Sequence, residues 1–322
     1  MCTVVLSLEP GERVPLRLLG VRDELTSRPW RPPGRHWPGS PLIGGIDELA
    51  GGTWLAVQPG GLDPSCPQAP GSTRSAASRR IESVPRVACL LNGRGRLADP
   101  ARRRSRGELP LRAAAGGADV LEELAADPDG LAVYDPFHLI CATPDAVAVL
   151  SWLGAPPALP PGGPAVRVLP PGTHMFTNAG HAYPADPGYP DDPAGEPKAA
   201  HFAEKFAAAR PSADPALPVA QAWGDWLTLA AGDGLDPGDP AAIVVRRDLP
   251  NGLVYGTTSM TLIGLAADAV RYDFQPTEVP PDPAGCAPPG GNRHRTGRAS
   301  APSRGDDAPG RGRADGWYPV PV

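Results

Sequence analysis

Short apolar runs broken by Gly, Pro and Asp dominate this chain, and sustained helical periodicity is scarce. TVVLSL (Thr3–Leu8) and RLLGV (Arg17–Val21) open it, and GTWLAVQ and VACLLN follow. Runs of this length and β-branched content read as strands. HLICATPDAVAVLSWL breaks at Thr143–Ala146 and reads as a hairpin, and AVRVLPPGTHMFTN adds two short strands around Pro170–Gly172. AIVVRR, SMTLIGL and AVRYDF close the ordered part, with a turn at Ala266–Asp268 between the last two. Helical spacing is confined to ADVLEELAAD (Ala118–Asp127), HFAEKFAAA (His201–Ala209) and ALPVAQAWGDWLTLAA around Trp223 and Trp226. Many antiparallel-looking strands with helices set between them predict an α+β layered domain.

Composition divides the chain. Gly 39 and Pro 45 make up about a quarter of the 322 residues, close to low-complexity sequence. The excess is concentrated in three stretches. Pro59–Arg86 separates two strand-like runs and is too long for a structureless loop inside a compact domain, so it is expected to be a disordered insertion. His181–Pro197 reads as a Pro- and Asp-rich loop. Everything after Pro276 lacks the branched aliphatics needed to offset ordering entropy. The expected organisation is one domain over 1–275, interrupted at about 59–86, and a disordered Pro/Gly/Arg-rich tail over 276–322.

Net charge is −5, which gives no global bias toward nucleic acid or an anionic membrane. The tail arginines are interrupted by Asp306, Asp307 and Asp315 and read as a solvated segment. Apolar runs fall short of the ~20 residues a membrane span needs. The five cysteines are widely spaced with no CxxC, so a disulfide framework, a zinc ribbon and covalent haem attachment are unsupported. A reducing, cytoplasmic compartment is expected. Cys89 and Cys141 sit in apolar runs and read as small core residues. His36, His138, His174, His181 and His201 fall in no ligand pattern and read as ordinary surface or core histidines. No metal or cofactor is called for.

Cys2 directly follows Met1 and leads straight into a strand. Removal of Met1 would leave a thiol and a free α-amino group on one Cα, with reference pKa values of about 8.5 and about 7.7–8.0. An N-terminal amine can act as the base for the nucleophile that bears it. Such chemistry also needs a cation to favour the thiolate, a carboxylate to hold the amine and donors for an oxyanion. VRDE (Val21–Glu24) offers Arg22, Asp23 and Glu24, expected just after the second strand. LLNGR offers Asn92 and Arg94, and FTNAG offers Asn178, each at a strand end. Taken singly, each is more often turn chemistry or a solvated ion pair than a functional group.

Taken together and in order, MCTVVL, VRDELTSRP, GGTWLAV (Gly51–Val57), LLNGR, SRGELPL (Ser105–Leu111), FTNAG and YGTTSMT (Tyr255–Thr261) resemble the NRDE-motif family, also called the transport and Golgi organisation protein 2 family. The resemblance runs from about Met1 to Phe274. It implies an αββα sandwich of two antiparallel sheets between helical layers, similar to N-terminal-nucleophile hydrolases. It also implies Cys2 as nucleophile, Arg22 favouring its thiolate, Asp23 orienting the amine, and Asn92 and Asn178 as oxyanion or amine ligands. Glu24, Arg94 and Thr258 complete the expected ligand-binding set. Val21 stands where the family has its name-giving Asn, and Thr258 where the family usually shows Arg.

Two functions follow from the resemblance. One is hydrolysis of an amide or thioester through Cys2. The other is non-catalytic binding and trafficking of acyl-CoA, lipid or haem on the same scaffold. The expected partner in either case is a small acyl molecule or haem, with no nucleic acid and no membrane span.

Overall fold

A computed structural model of the chain describes residues 3–60, 84–154, 163–184, 196–277 and 316–322. In chain order the first strands are β1 (Thr3–Leu8), β2 (Leu16–Leu25), β3 (Trp30–Gly34), β4 (Ile43–Asp47), β5 (Leu55–Gln58) and β6 (Arg86–Asn92). Next come β7 (Phe137–Ala142), β8 (Val147–Trp152), β9 (Val166–Val168), β10 (Gly172–Thr177) and β11 (Gly180–Tyr183). The last are β12 (Arg246–Asp248), β13 (Val254–Leu265), β14 (Val270–Pro276) and β15 (Tyr318–Pro319). They form two antiparallel sheets. One has the order β11-β10-β1-β2-β13-β14-β15 with β12 beside β13, and the other runs β3 to β9 in sequence order.

Strand alternation sorts the apolar residues into layers. Val4, Leu6 and Leu8 of β1, Leu16 and Leu18 of β2, Cys89 and Leu91 of β6 and Phe274 of β14 meet between the sheets. Val5, Leu19, Val21 and Leu262 point outward from the first sheet onto Phe202, Phe206, Trp223 and Trp226. Those aromatics come from the helices Pro197–Ala208, Val219–Trp223 and Asp225–Ala230, the last two separated by Gly224 at φ 48°. Leu139, Cys141 and Leu150 point outward from the second sheet onto Leu109, Ala113, Leu121 and Leu124. Those residues belong to the helices Leu109–Gly116 and Ala118–Ala125. The result is an α+β sandwich of two antiparallel sheets flanked by helices. Among the described residues, no helix is long and apolar enough to cross a membrane.

Several elements differ from the sequence reading. Arg22–Glu24 do not follow the second strand but lie inside it, because β13 pairs with β2 as far as Tyr255 opposite Leu25. AIVVRR narrows to the strand Arg246–Asp248, with Val245 held to Thr257 by its amide on the hydroxyl and its carbonyl on the Thr257 amide. The His181–Pro197 loop begins as the buried strand β11 and ends in a helix, while residues 185–195 lie outside the described residues. Arg86, placed at the end of the insertion, is buried in β6 and donates to the Ala114 and Ala115 carbonyls; 61–83 lie outside the described residues. The segment after Pro276 is not wholly outside the domain. Tyr318 pairs with Phe274, and Trp317 and Val320 are buried, so the chain end supplies the edge strand β15.

Candidate functional site

The candidate residues gather where β1, β2 and β13 run side by side. Thr3, the first described residue and neighbour of Cys2 in sequence, pairs with Val21 on β2 and Thr177 on β10. On the other edge of β2, Asp23 faces Thr257 and Arg22 faces Ser259, so Thr258 is an extra residue. That is a β-bulge, a device that re-aims a side chain. Here it sends the Thr258 hydroxyl to Arg22, accepting from Nη1 at 2.8 Å and donating to the Arg22 carbonyl at 3.2 Å. The Thr257 hydroxyl donates to Asp23 Oδ1 at 2.7 Å and accepts from the Val245 amide at 2.9 Å. Arg22 and Asp23 are 4% and 7% exposed, and charges buried this far are stable only when paired and hydrogen-bonded.

The pairing for Arg22 comes from the second sheet. Its guanidinium lies 4.4 Å from the Trp54 ring centroid and 5.9 Å from that of Trp30, within cation–π range. Trp54 reaches this position across β4, where a side chain on Gly45 would meet the indole at 2.3 Å. Arg22 Nη2 lies 3.8 Å from Asp47 Oδ2 and 4.0 Å from Glu24 Oε2. Arg28 Nε lies 2.6 Å from the same Asp47 oxygen and 3.8 Å from Glu24 Oε2. The other Asp47 oxygen accepts the Leu49 and Ala50 amides, which fixes the turn into β5.

Arg22, Glu24 and Thr258 therefore form one group, and Asp23, the next residue of β2, is held beside it by Thr257. Asn92 ends β6 opposite Phe137, and Asn178 sits half-buried in the turn between β10 and β11. His138, opposite Leu91 in β7, has its Nδ1 2.8 Å from Ser151 Oγ and interacts with the Asn178 backbone. Arg94 is exposed, 3.5 Å from Glu196 at the start of the helix Pro197–Ala208. Lys198 in the same helix donates to the Thr3 hydroxyl at 3.1 Å. Cys2 lies outside the described residues. Cys89 and Cys141 are buried free thiols that burial pushes up to about 12, which leaves them inert near neutral pH. A cleft of about 370 Å³ runs from the Ala50–Gly52 turn to Arg104 and Leu111, and neither Arg22 nor Asp23 lines it. Among the described residues no group of three or more His, Cys, Asp and Glu could hold a metal ion.

Residues 1–62 match the family model described as Transport and Golgi organisation 2. The matched stretch contains β1 to β5 and, with them, Arg22, Asp23, Glu24, Arg28, Asp47 and Trp54. Asn92, Arg94, Asn178 and Thr258 lie beyond it, and of these the described contacts bring only Thr258 to Arg22. A search of curated proteins returned no match.

The sequence reading named His138 only as an ordinary histidine and did not single out Asp47 or Lys198. Arg28 and Trp54 did stand inside quoted motifs, VRDELTSRP and GGTWLAV. Asp47 and His138 carry no local signal, because only the packing of one sheet on the other brings them to Arg22 and Asn178.

His138 has a measurable consequence. Burial pushes its pKa down to about 4, against the opposing effect of the Asn178 backbone. The unfolded chain takes up a proton as pH falls through the ordinary value of about 6.5, while the folded chain does not until about 4. Stability is fully present above that ordinary value and is lost across the window below it, by up to about 1.4 kcal/mol per pH unit. His174, also pushed down by burial, acts in the same direction. Urea unfolding between pH 7 and 4.5 is expected to show a shallower loss in His138→Gln than in the native chain.

Proposed function

We propose that this chain is an N-terminal-nucleophile-type, hydrolase-like protein of the NRDE family, acting on an amide or thioester bond through Cys2. The Cys2 thiol attacks the acyl carbon while its proton passes to the α-amino group exposed by loss of Met1. The tetrahedral intermediate collapses to an acyl thioester on Cys2, and the leaving amine or thiol takes that proton. Water, deprotonated by the same amine, then attacks the thioester, releasing the acid and restoring the thiol. Arg22 favours the thiolate, Asp23 orients the amine, and Asn92 and Asn178 hydrogen-bond the oxyanion or the amine. Glu24, Arg94 and Thr258 contact the ligand. The cytoplasm is the expected compartment.

The observation that carries this reading is the burial of two opposite charges on consecutive residues of β2. Arg22 and Asp23 follow Val21 directly, and Val21 pairs with Thr3, the residue after Cys2 in sequence. The sandwich of two antiparallel sheets is compatible with it, although a fold alone does not fix a function. Turnover of a panel of amides and thioesters by the untagged native chain and by Cys2→Ala tests it. Hydrolysis of at least one substrate, abolished in the variant, is expected; equal turnover by both chains would end the proposal.

One observation favours non-catalytic binding of acyl-CoA, lipid or haem instead. Thr258, where the family usually shows Arg, brings a hydroxyl already engaged by Arg22 and no cation for an oxyanion. That reading requires saturable binding of acyl-CoA or haem that survives Cys2→Ala, and titrations showing neither would remove it.

A further inference from the structure

We propose that Arg28 is a positioning residue: by holding Oδ2 of Asp47, it keeps that carboxylate from closing on Arg22. The inference rests on the reading of Arg22 as the cation that favours the Cys2 thiolate.

Arg28 and Arg22 compete for a single oxygen. Asp47 Oδ2 is 2.6 Å from Arg28 Nε but 3.8 Å from Arg22 Nη2. The first distance is a charge-assisted hydrogen bond, and the second is Coulombic contact without one. Oδ1 of Asp47 cannot serve Arg22, because it already accepts the Leu49 and Ala50 amides. Glu24 behaves alike: Oε1 accepts the Leu25 amide, and Oε2 lies 3.8 Å from Arg28 and 4.0 Å from Arg22. The cluster thus contains two guanidiniums and two carboxylates, with the nearest carboxylate contact taken by the more exposed arginine. Arg28 side chain is 30% exposed and Arg22 4%.

Without Arg28, three charges remain: one cation and two anions. Asp47, 15% exposed, then has Arg22 as its nearest cation. A rotation of its carboxylate would convert the 3.8 Å contact into a direct ion pair. On that reading of Arg22, its positive potential would be spent on Asp47 rather than on the Cys2 thiolate, and the thiol would ionise at higher pH. Trp54 and Thr258 fix Arg22 from the other sides, so the guanidinium cannot escape by moving.

The test is the pH dependence of iodoacetamide alkylation at Cys2, read by peptide mass mapping on the full chain. Mapping separates Cys2 from Cys66 and Cys286, while Cys89 and Cys141 stay unlabelled. Native protein, Arg28→Ala, Arg28→Gln and the double variant Arg28→Ala with Asp47→Asn are compared, each checked for a cooperative melt. A native Cys2 midpoint below the ordinary ~8.5, an upward shift of about one pH unit in both single variants, and return to the native midpoint in the double variant are expected. About tenfold slower labelling at neutral pH accompanies that shift. A lowered native midpoint that neither single variant moves would overturn the inference and leave the proposed function standing. So would a shift that Asp47→Asn fails to reverse, since loss of structure alone gives that result. A native midpoint at the ordinary value would overturn the reading of Arg22 itself, and this inference with it.

Discussion

Asp273→Ala is expected to destabilise the fold by about 3–5 kcal/mol, the range for removing one partner of a buried ion pair. Asp273 is fully buried on β14, and Arg271, two residues earlier on the same face, is 7% exposed and bonds its carboxylate. The same carboxylate accepts Trp223 Nε1 at 2.6 Å. Arg271 also donates to the Asp214 and Leu217 carbonyls at 2.6 and 2.7 Å. The pair therefore ties the sheet to the segment leading into the helix Val219–Trp223. Alanine leaves a buried guanidinium without its counter-charge and an indole N–H without an acceptor, each costly in a low-dielectric interior. Asp273→Asn, which keeps an acceptor for Trp223, is expected to lose less. Urea unfolding of the three chains checks both statements; a loss below about 1 kcal/mol for the alanine variant would show that the pair is not what anchors this layer.

The second large effect is expected at Arg22. Arg22→Met retains an apolar side chain over Trp54 and removes the charge, while Asp47 keeps its bond to Arg28. An opposite charge near an ionisable group moves its pKa by about one to three units. Return of the thiol to its ordinary pKa of about 8.5 is therefore expected to slow alkylation of Cys2 at neutral pH by about 10- to 30-fold. Arg22→Lys is not expected to restore it, because a lysine cannot bond Thr258, stack on Trp54 and face Asp47 at once. Labelling rates of the three chains at one pH decide the matter, and equal rates would separate Arg22 from the chemistry of Cys2.

How far the sequence reached depended on whether the deciding interaction was local. β1, the β7–β8 hairpin and the helix Ala118–Ala125 were legible because apolar spacing and turn residues lie within each segment. β3 (WRPPG) and β4 (IGGID) were not, since Pro and Gly ordinarily argue against a strand. β3 tolerates its prolines at the edge of its sheet, and Gly45 in β4 leaves room for Trp54. β15 was invisible inside a Pro- and Gly-rich run, and only the edge of β14 makes Tyr318–Pro319 a strand. At the site, Arg22, Asp23 and Glu24 were legible from their order. Their place within β2 and the bulge at Thr258 were not, because the partner strand is more than 230 residues away. Asp47 and His138 came from the other sheet and had no signature at all.

The proposed reaction requires that Cys2 carry a free α-amino group beside its thiol. Intact mass of the purified, untagged protein, with a peptide map of its N-terminus, tests that most directly. Met1 is expected to be absent, with Cys2 the first residue and its amine unmodified. Retention of Met1, or a blocked amine on Cys2, would contradict it, because the nucleophile would then lack the base the proposed reaction requires.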